Sequence, residues 1–446
     1  MKVAVVGAGW AGMAAAVEAA GLGMDVTVFE ATRTLGGRAR ALSAAKPDGT
    51  SLTLDNGQHI LIGAYSETLA LMQRVRLELP HVLMALPLSL PYPDGTGLQT
   101  PTWAARWPAP LDALAAIATA RGWTWGERLA LIRASLRWQM AGFRCEPSAT
   151  VESLCEDLPE RVMRELVEPL CVSALNLPAS HASAAVFLRV MRDALFGRGA
   201  AGFNASSLLL PRTDLTRLFP AAAAQWLQQQ HDKTSRIQLG ARITGLRAEG
   251  GRWRLTGDGI DQAFDRVIWA TTASVAAQTL LAHADDNEAL ASWALSAHAL
   301  GFTAITTVYA WAPGARLAAP MLALRAEPDE QAAPAQFVFD RGQLSPDDAA
   351  AQGVLAFVVS ASTGERDDLQ ARVLQQGQRQ LGLALQPWVT VVEKRATFAC
   401  TPGLERPGAV MAPGLFAAGD YVQGPYPATL ESAVRSGLAA ARLAKG

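Results

Sequence analysis

Gly7, Gly9 and Gly12 stand in the stretch Gly7-Ala8-Gly9-Trp10-Ala11-Gly12, and Glu30 follows 18 residues after the last of them. Glycines at this G-x-G-x-x-G spacing suit a pyrophosphate. Gly7 permits a sharp turn, Gly9 lets backbone approach the phosphates, and Gly12 lets a helix lie close on a strand. N–H groups around Trp10 and Ala11, together with the helix dipole, favour negative charge. Glu30 can accept from a ribose 2′-OH and would repel a 2′-phosphate, so FAD or NAD fits better than NADP. The alternative is a glycine-rich turn in an ordinary βαβ unit.

The elements around these residues agree with the dinucleotide reading. An apolar run from Val3, an Ala-rich helix from Ala11 and a second apolar run, Val26 to Phe29, give strand, turn, helix and strand. Leu52–Ile60 reads as a strand running into a turn, followed by a helix to about Leu79. Leu83–Thr100 reads as a hairpin turning at Pro93-Asp94-Gly95. Residues 110–230 are mostly helical in pattern. Short strands follow at 236–239, 242–248, 251–256 and 266–270, then at 302–312, 354–360 and 388–399, with a helix between Arg366 and Leu385. A last strand, glycine turn and helix end the chain.

Size and composition bound what these elements can do. At 446 residues two domains are expected. The 39 Lys and Arg nearly balance the 40 Asp and Glu, which leaves no electrostatic footprint for nucleic acid. The four cysteines form no CxxC pair, and the six histidines (59, 81, 181, 231, 283, 298) have no metal-ligand spacing, so no metal is expected. The cysteine usage suits a reducing cytoplasm. No secretory signal is expected at residues 1–20, and no apolar run reaches the length of a transmembrane helix. Half the residues are nonetheless hydrophobic, and five of the 12 Trp fall between Trp103 and Trp138.

A second set of residues would complete the cofactor site. Gly36-Gly37-Arg38 brings a flexible backbone pair and a guanidinium suited to a pyrophosphate. Near the C-terminus, Gly419-Asp420 follows an apolar strand, with Asp420 able to accept from ribityl hydroxyls. Pro427-Ala428-Thr429-Leu430 would open a helix whose N–H groups stabilise negative charge at the N1/O2 side of a reduced flavin.

The ordered set of GxGxxG, Glu30, "RTLGGR", "LDNGQH", Trp269-Ala270-Thr271-Thr272 and "AAGDY…PATLESAVRSG" resembles the flavin amine oxidase and phytoene desaturase superfamily, from one end of the chain to the other. Within it, "DNGQHILIGAY" and "LLLPRTDLTRLFP" resemble the squalene-associated group, the hydroxysqualene dehydroxylases of hopanoid biosynthesis. The resemblance implies an α/β fold. A Rossmann-like FAD-binding domain of the GR2 type (residues 1–82, 236–290 and 396–446) would interleave with an α+β substrate domain (83–235 and 291–395), whose part at about 103–235 forms a helical lid. It implies FAD rather than NAD, Gly57 and Gln58 by the isoalloxazine, and the Ile243 backbone at the adenine. With no cysteine near the C-terminal motif, the FAD should be non-covalent.

The implied reaction is reductive removal of the hydroxyl of hydroxysqualene, with the leaving oxygen protonated and hydride taken from flavin N5. His59 is the candidate acid because "DNGQH" carries it near the flavin; a structural histidine is the alternative, and Asp55 is assigned to the turn. Trp103, Trp107, Trp123, Trp125, Trp138, Phe187, Phe196 and Phe203 are candidates for an apolar substrate tunnel, against the plainer reading as core. A C30 isoprenoid is held by a bilayer. The enzyme is therefore expected on the cytoplasmic membrane face, with Arg121, Arg128, Arg133 and Arg137 near phosphates. With one nucleotide fingerprint, electrons must come from a separate donor or from NAD(P)H. The competing readings are a carotenoid-type desaturase, a flavin amine oxidase and a non-catalytic isoprenoid carrier.

Overall fold

The computed structural model describes residues 1–46, 49–229, 235–283 and 287–446. Gln230, the last residue of the expected helical stretch, and His231 lie outside the described residues. The fold is α/β and Rossmann-like. Its main sheet has six strands in the order Arg236–Leu239, Asp25–Glu30, Lys2–Val6, Arg266–Trp269, Leu415–Ala417 and Val410–Ala412. The first five run parallel and the last antiparallel. Val3, Val5, Val26, Val28 and Ile268 are fully or almost fully buried, as central parallel strands covered on both faces require.

Two helices cover one face. Trp10–Gly21 is almost wholly buried, and its small side chains allow the C-terminal helix Leu430–Lys445 to cross it closely. A Cβ on Gly437 would lie 2.2 Å from the Ala11 carbonyl oxygen, so that crossing demands glycine. The two ends of the chain thus meet around one turn.

A second sheet is antiparallel, ordered Met321–Ala323, Phe337–Asp340, Val354–Ser360, Phe302–Trp311 and Gln386–Phe398. Helices Leu111–Ala118, Trp125–Met140 and Ala184–Phe196 lie in the segment between strands Asp25–Glu30 and Arg236–Leu239 of the main sheet. Thr124 starts the second of them with a capping box: Glu127 N–H donates to its hydroxyl, and the Glu127 carboxylate accepts from the Thr124 N–H at 2.6 Å.

Three local expectations need correction. Leu83–Thr100 is not one hairpin: Leu83–Leu86 pairs with Leu208–Pro211, and only Ser89–Pro91 and Gly97–Gln99 form the hairpin around Asp94-Gly95. The two strand pairings compete for the same stretch, and the apolar 208–211 segment, distant in sequence, wins its first half. The helix expected to reach Leu79 ends at Arg74, because Arg76 turns left-handed at φ 68°. Strand Ile260–Phe264, not expected, completes a meander with Ile243–Glu249 and Arg252–Gly257; its alternation is interrupted by the polar pair Asp261-Gln262.

Candidate active site

The turn after Lys2–Val6 has the shape its glycines allow. Gly7 sits at φ 108°, and a Cβ there would meet the Ala270 carbonyl oxygen at 2.6 Å. A Cβ on Gly12 would fall 1.9 Å from the Gly7 carbonyl oxygen, so the helix start rests directly on the turn. The first helical hydrogen bond runs from Met13 N–H to the Gly9 carbonyl, which leaves the N–H groups of Trp10, Ala11 and Gly12 in the open first turn. Gly9 bridges to Gly36, and Gly36 and Gly37 both take positive φ.

Glu30 closes the second strand and holds the rim of this cradle. Its carboxylate accepts from Ala8 N–H at 2.8 Å and from the N–H and hydroxyl of Thr32. These donors fix the carboxylate beside Gly7 and Gly9 while leaving lone pairs for a sugar hydroxyl.

A cavity of about 690 Å³ runs from this cradle into the protein. Of the residues singled out for a cofactor, Gly7, Gly9, Trp10, Ala11, Glu30, Gly36, Gly37, Arg38, Gly57, Gln58, Ile243, Gly419, Asp420, Ala428, Thr429 and Leu430 all line it, as does His59. Gly12 does not: it packs beneath the turn. Thr429 caps the C-terminal helix by accepting from Ser432 N–H at 3.1 Å, so that helix opens on the cavity.

Arg38 and Asp420 meet each other. Arg38 donates to Asp420 Oδ1 and to the Ala396 carbonyl, both at 2.5 Å, and so ties the glycine pair to the C-terminal strand and to strand Gln386–Phe398. Sequence reasoning gave them separate partners, and nothing local in either segment signals their 382-residue pairing.

His59 Nδ1 lies 2.9 Å from the Gly57 carbonyl oxygen. A carbonyl only accepts, so Nδ1 carries the proton and Nε2 presents a lone pair. Burial holds the ring's pKa below its ordinary value, with Arg38 adding to the effect and the Gly57 hydrogen bond opposing it. In the neutral form this histidine is an acceptor.

Asp55, four residues before His59, is buried, accepts from Leu215 N–H at 2.8 Å and lies 3.8 Å from buried Arg341. Burial pushes the Asp55 carboxyl up to about 6. Its role reaches beyond fixing the local turn. It joins the strand Ser51–Asp55 to the short helix Leu215–Leu218 and to Tyr309, whose hydroxyl donates to the Asp55 carbonyl at 2.8 Å.

Away from the cradle the cavity wall is apolar, with Leu88, Leu90, Ile117, Leu131, Trp138, Leu166, Phe187, Met191, Phe337 and Phe339. Of the aromatic residues expected to form a tunnel, only Trp138 and Phe187 line it. Trp123 is core, its indole N–H donating to Glu165 at 3.0 Å. Trp103, Trp107 and Trp125 are exposed, and Phe196 and Phe203 are half-buried away from the cavity. The branched aliphatic residues that fill those places carry no signal in a sequence half hydrophobic throughout.

Among the described residues no group of three His, Cys, Asp or Glu side chains is placed to hold a metal ion, and the four cysteines are unpaired.

Comparison with known proteins agrees with this architecture. The family described as flavin containing amine oxidoreductase matches residues 10–444. Over 99% of its length the chain is 26% identical to the hydroxysqualene dehydroxylase of Sinorhizobium fredii, covering 98% of that protein. It is 28% identical to the hydroxysqualene dehydroxylase of Rhodopseudomonas palustris, over 99% of this chain and 97% of that one. Among solved structures, an oxidoreductase from Methanosarcina mazei superposes with a TM-score of 0.71 at 16% identity, covering 98% of this chain and 99% of that one. A glycine cradle, a fixed acid at its rim and a helix N-terminus across the cavity are what a flavin dinucleotide needs, and this chain belongs to the flavin-containing amine oxidoreductase family as an FAD-dependent oxidoreductase.

Proposed function

We propose that this protein reductively dehydroxylates hydroxysqualene to squalene and water. The observation that carries this reading is the end-to-end match to two hydroxysqualene dehydroxylases, in a chain whose cofactor cradle continues into one apolar cavity. Residues 1–82, 236–290 and 396–446 hold FAD without a covalent bond, and the remainder shapes the hydrocarbon chamber. Bound reduced FAD supplies the hydride, and a separate donor or NAD(P)H replenishes its electrons.

The chain's own task is to exclude water, place the C–O bond beside the flavin and deliver a proton to the leaving oxygen. The aliphatic wall does the first. His59, which lines the cavity, serves as the acid in its protonated form. Burial holds that form to pH values below the ordinary histidine range, so turnover should rise only as pH falls below 6.5. His59→Ala should flatten that rise and lose roughly 10²- to 10⁴-fold at its acid end. Single-turnover rates of the FAD-loaded enzyme across pH 5–8 measure both. A flat wild-type profile, or a variant at full speed, removes His59 from the chemistry.

The substrate enters from a membrane face. Helix Trp125–Met140 turns Leu131, Ser135 and Trp138 to the cavity. Its outer stripe exposes Trp125, Leu129, Leu136 and Met140, the last at 80%. Trp103, Trp107, Leu111 and Leu114 extend the exposed apolar area. Of the arginines expected near phosphates, Arg121 and Arg133 are exposed, whereas Arg128 donates to the Ala118 and Ala120 carbonyls and Arg137 pairs with Asp157. Arg106 and Arg144 are exposed in the same segment. Each apolar side chain sunk in lipid contributes about 1.5–3 kcal/mol, and each Arg near anionic headgroups about 1 kcal/mol. No described helix is long and apolar enough to cross the membrane, so the contact is peripheral in this reading. Leu136→Ser with Met140→Ser should weaken partition onto anionic vesicles at least roughly 10-fold in a flotation assay. Equal flotation would refute the membrane face.

The reaction itself is tested by reducing the purified holoprotein anaerobically, mixing it with hydroxysqualene and extracting the lipid. Squalene together with reoxidised flavin is the expected result. Reoxidation by neither hydroxysqualene nor its dehydrated analogues would overturn the reading. Flavin reduction by a polyene, with new double bonds in the product, would replace it with desaturation.

A further inference from the structure

We propose that Arg341 is an electrostatic positioning residue of the flavin site: a buried, under-paired guanidinium that fixes the Gln58 amide and raises the reduction potential of the bound flavin. The inference rests on the reading above only in placing the isoalloxazine beside Gly57 and Gln58.

Arg341 follows strand Phe337–Asp340 and is 4% exposed. A guanidinium has five N–H donors and no acceptor, so burial normally brings close carboxylates. Here one neighbouring acid, Asp340, is committed elsewhere, and the other, Asp55, pairs with Arg341 only at a distance. Asp340 caps the short helix Arg341–Leu344 and accepts from Leu317 N–H and the Gln343 amide. Asp55 Oδ1 takes Leu215 N–H, and Asp55 Oδ2 stands 3.8 Å from Arg341 Nη1, outside hydrogen-bond range. Among the described residues Nε has no acceptor. What Nη1 does reach is Gln58 Oε1, at 3.2 Å.

That contact has a direction. Arg341 can only donate, so Gln58 must present its oxygen to it, and the amide NH₂ becomes the free end. Gln58 lines the cavity. A second buried polar atom without a partner, Thr307 Oγ1, lies beneath the same turn, 3.9 Å from where a Gly57 Cβ would stand. Unspent polar atoms on strand Phe302–Trp311 and on the short helix Arg341–Leu344 thus converge under Gly57-Gln58.

A buried cation whose one carboxylate partner stands 3.8 Å off, with no hydrogen bond between them, is stabilised further when more negative charge comes near it. Reduction adds negative charge to an isoalloxazine, and a fixed cation in a water-poor site favours that state without reorganising. Arg341, acting through the polarised Gln58 amide, therefore makes FAD easier to reduce and holds a donor toward the ring. Its effect is on the flavin, whatever substrate follows.

The test is the midpoint potential of FAD bound to Arg341→Met, Arg341→Gln and Arg341→Lys, measured by dye equilibration with no substrate present. The neutral variants should favour the oxidised form at least tenfold more than wild type, a fall of about 30 mV for a two-electron couple. Arg341→Lys should recover most of the difference. Gln58→Leu should shift the visible flavin bands. A neutral variant with wild-type potential, or a lysine variant as low as the neutral ones, overturns the proposal. Because no substrate is used, the outcome is independent of the dehydroxylation assay. Unchanged spectra in Gln58→Leu would instead show that the ring lies elsewhere.

Discussion

Gly9→Ala protein should fold with wild-type stability and emerge nearly colourless, while Gly12→Ala should lose fold and flavin together. The two positions differ in what an added methyl meets. At Gly12 it meets backbone, the Gly7 carbonyl oxygen at 1.9 Å, which forces the helix off the strand. At Gly9 its nearest neighbour is Gly37 Cα at 3.8 Å, ordinary contact, so the protein itself does not resist. The methyl then occupies the gap between Gly9 and Gly37, the proposed seat of the diphosphate. Overfilling a fitted site costs about 1–3 kcal/mol, or roughly 5- to 150-fold in FAD affinity. Fluorescence titration of apoprotein with FAD, beside thermal melts of both variants, checks this. A yellow Gly9→Ala protein with unchanged affinity would move the diphosphate away from the first turn.

Glu431→Ala should destabilise the fold by about 3–5 kcal/mol, the summed cost of leaving the buried donors that it accepts from unpaired. Glu431 is fully buried at the start of the C-terminal helix. Its Oε1 accepts from Arg435 Nε at 2.7 Å and from Glu67 N–H at 3.2 Å; its Oε2 accepts from the Thr68 N–H at 2.9 Å and hydroxyl at 2.6 Å. Glu67 and Thr68 open the helix Ser66–Arg74, so a carboxylate from one helix supplies the cap of another. Removing it strands those donors and the Arg435 charge at once. It also loosens the helix whose N-terminus faces the cavity, so FAD retention should fall with stability. Urea unfolding gives the first number and flavin content the second. Glu431→Gln, which keeps an acceptor, should fall between wild type and Glu431→Ala; a Glu431→Ala midpoint equal to wild type would show that water satisfies the cap.

How much was legible follows from how local each feature is. Lys2–Val6, Trp10–Gly21 and Asp25–Glu30 lie within a residue of where apolar runs and glycines put them, because strand, turn and helix there are dictated by neighbours in sequence. Arg236–Leu239 and Val354–Ser360 likewise match their expected bounds. The pairing of Leu83–Leu86 was not legible, since its partner lies more than 120 residues on. The exposed tryptophans show the same limit. A ring reads alike whether it faces lipid, cavity or core, and helix Trp125–Met140 is apolar on two sides.

The amino-acid sequence by itself determined the cofactor cradle, because a phosphate-binding turn needs glycines at set spacings and an acid one strand away, all within 30 residues. Tertiary structure alone decided which charges work together: Arg38 with Asp420, Glu431 with Thr68, and Arg341 beneath Gln58. Such pairs join segments hundreds of residues apart. Their partners are chosen by burial, which exists only once the chain has closed.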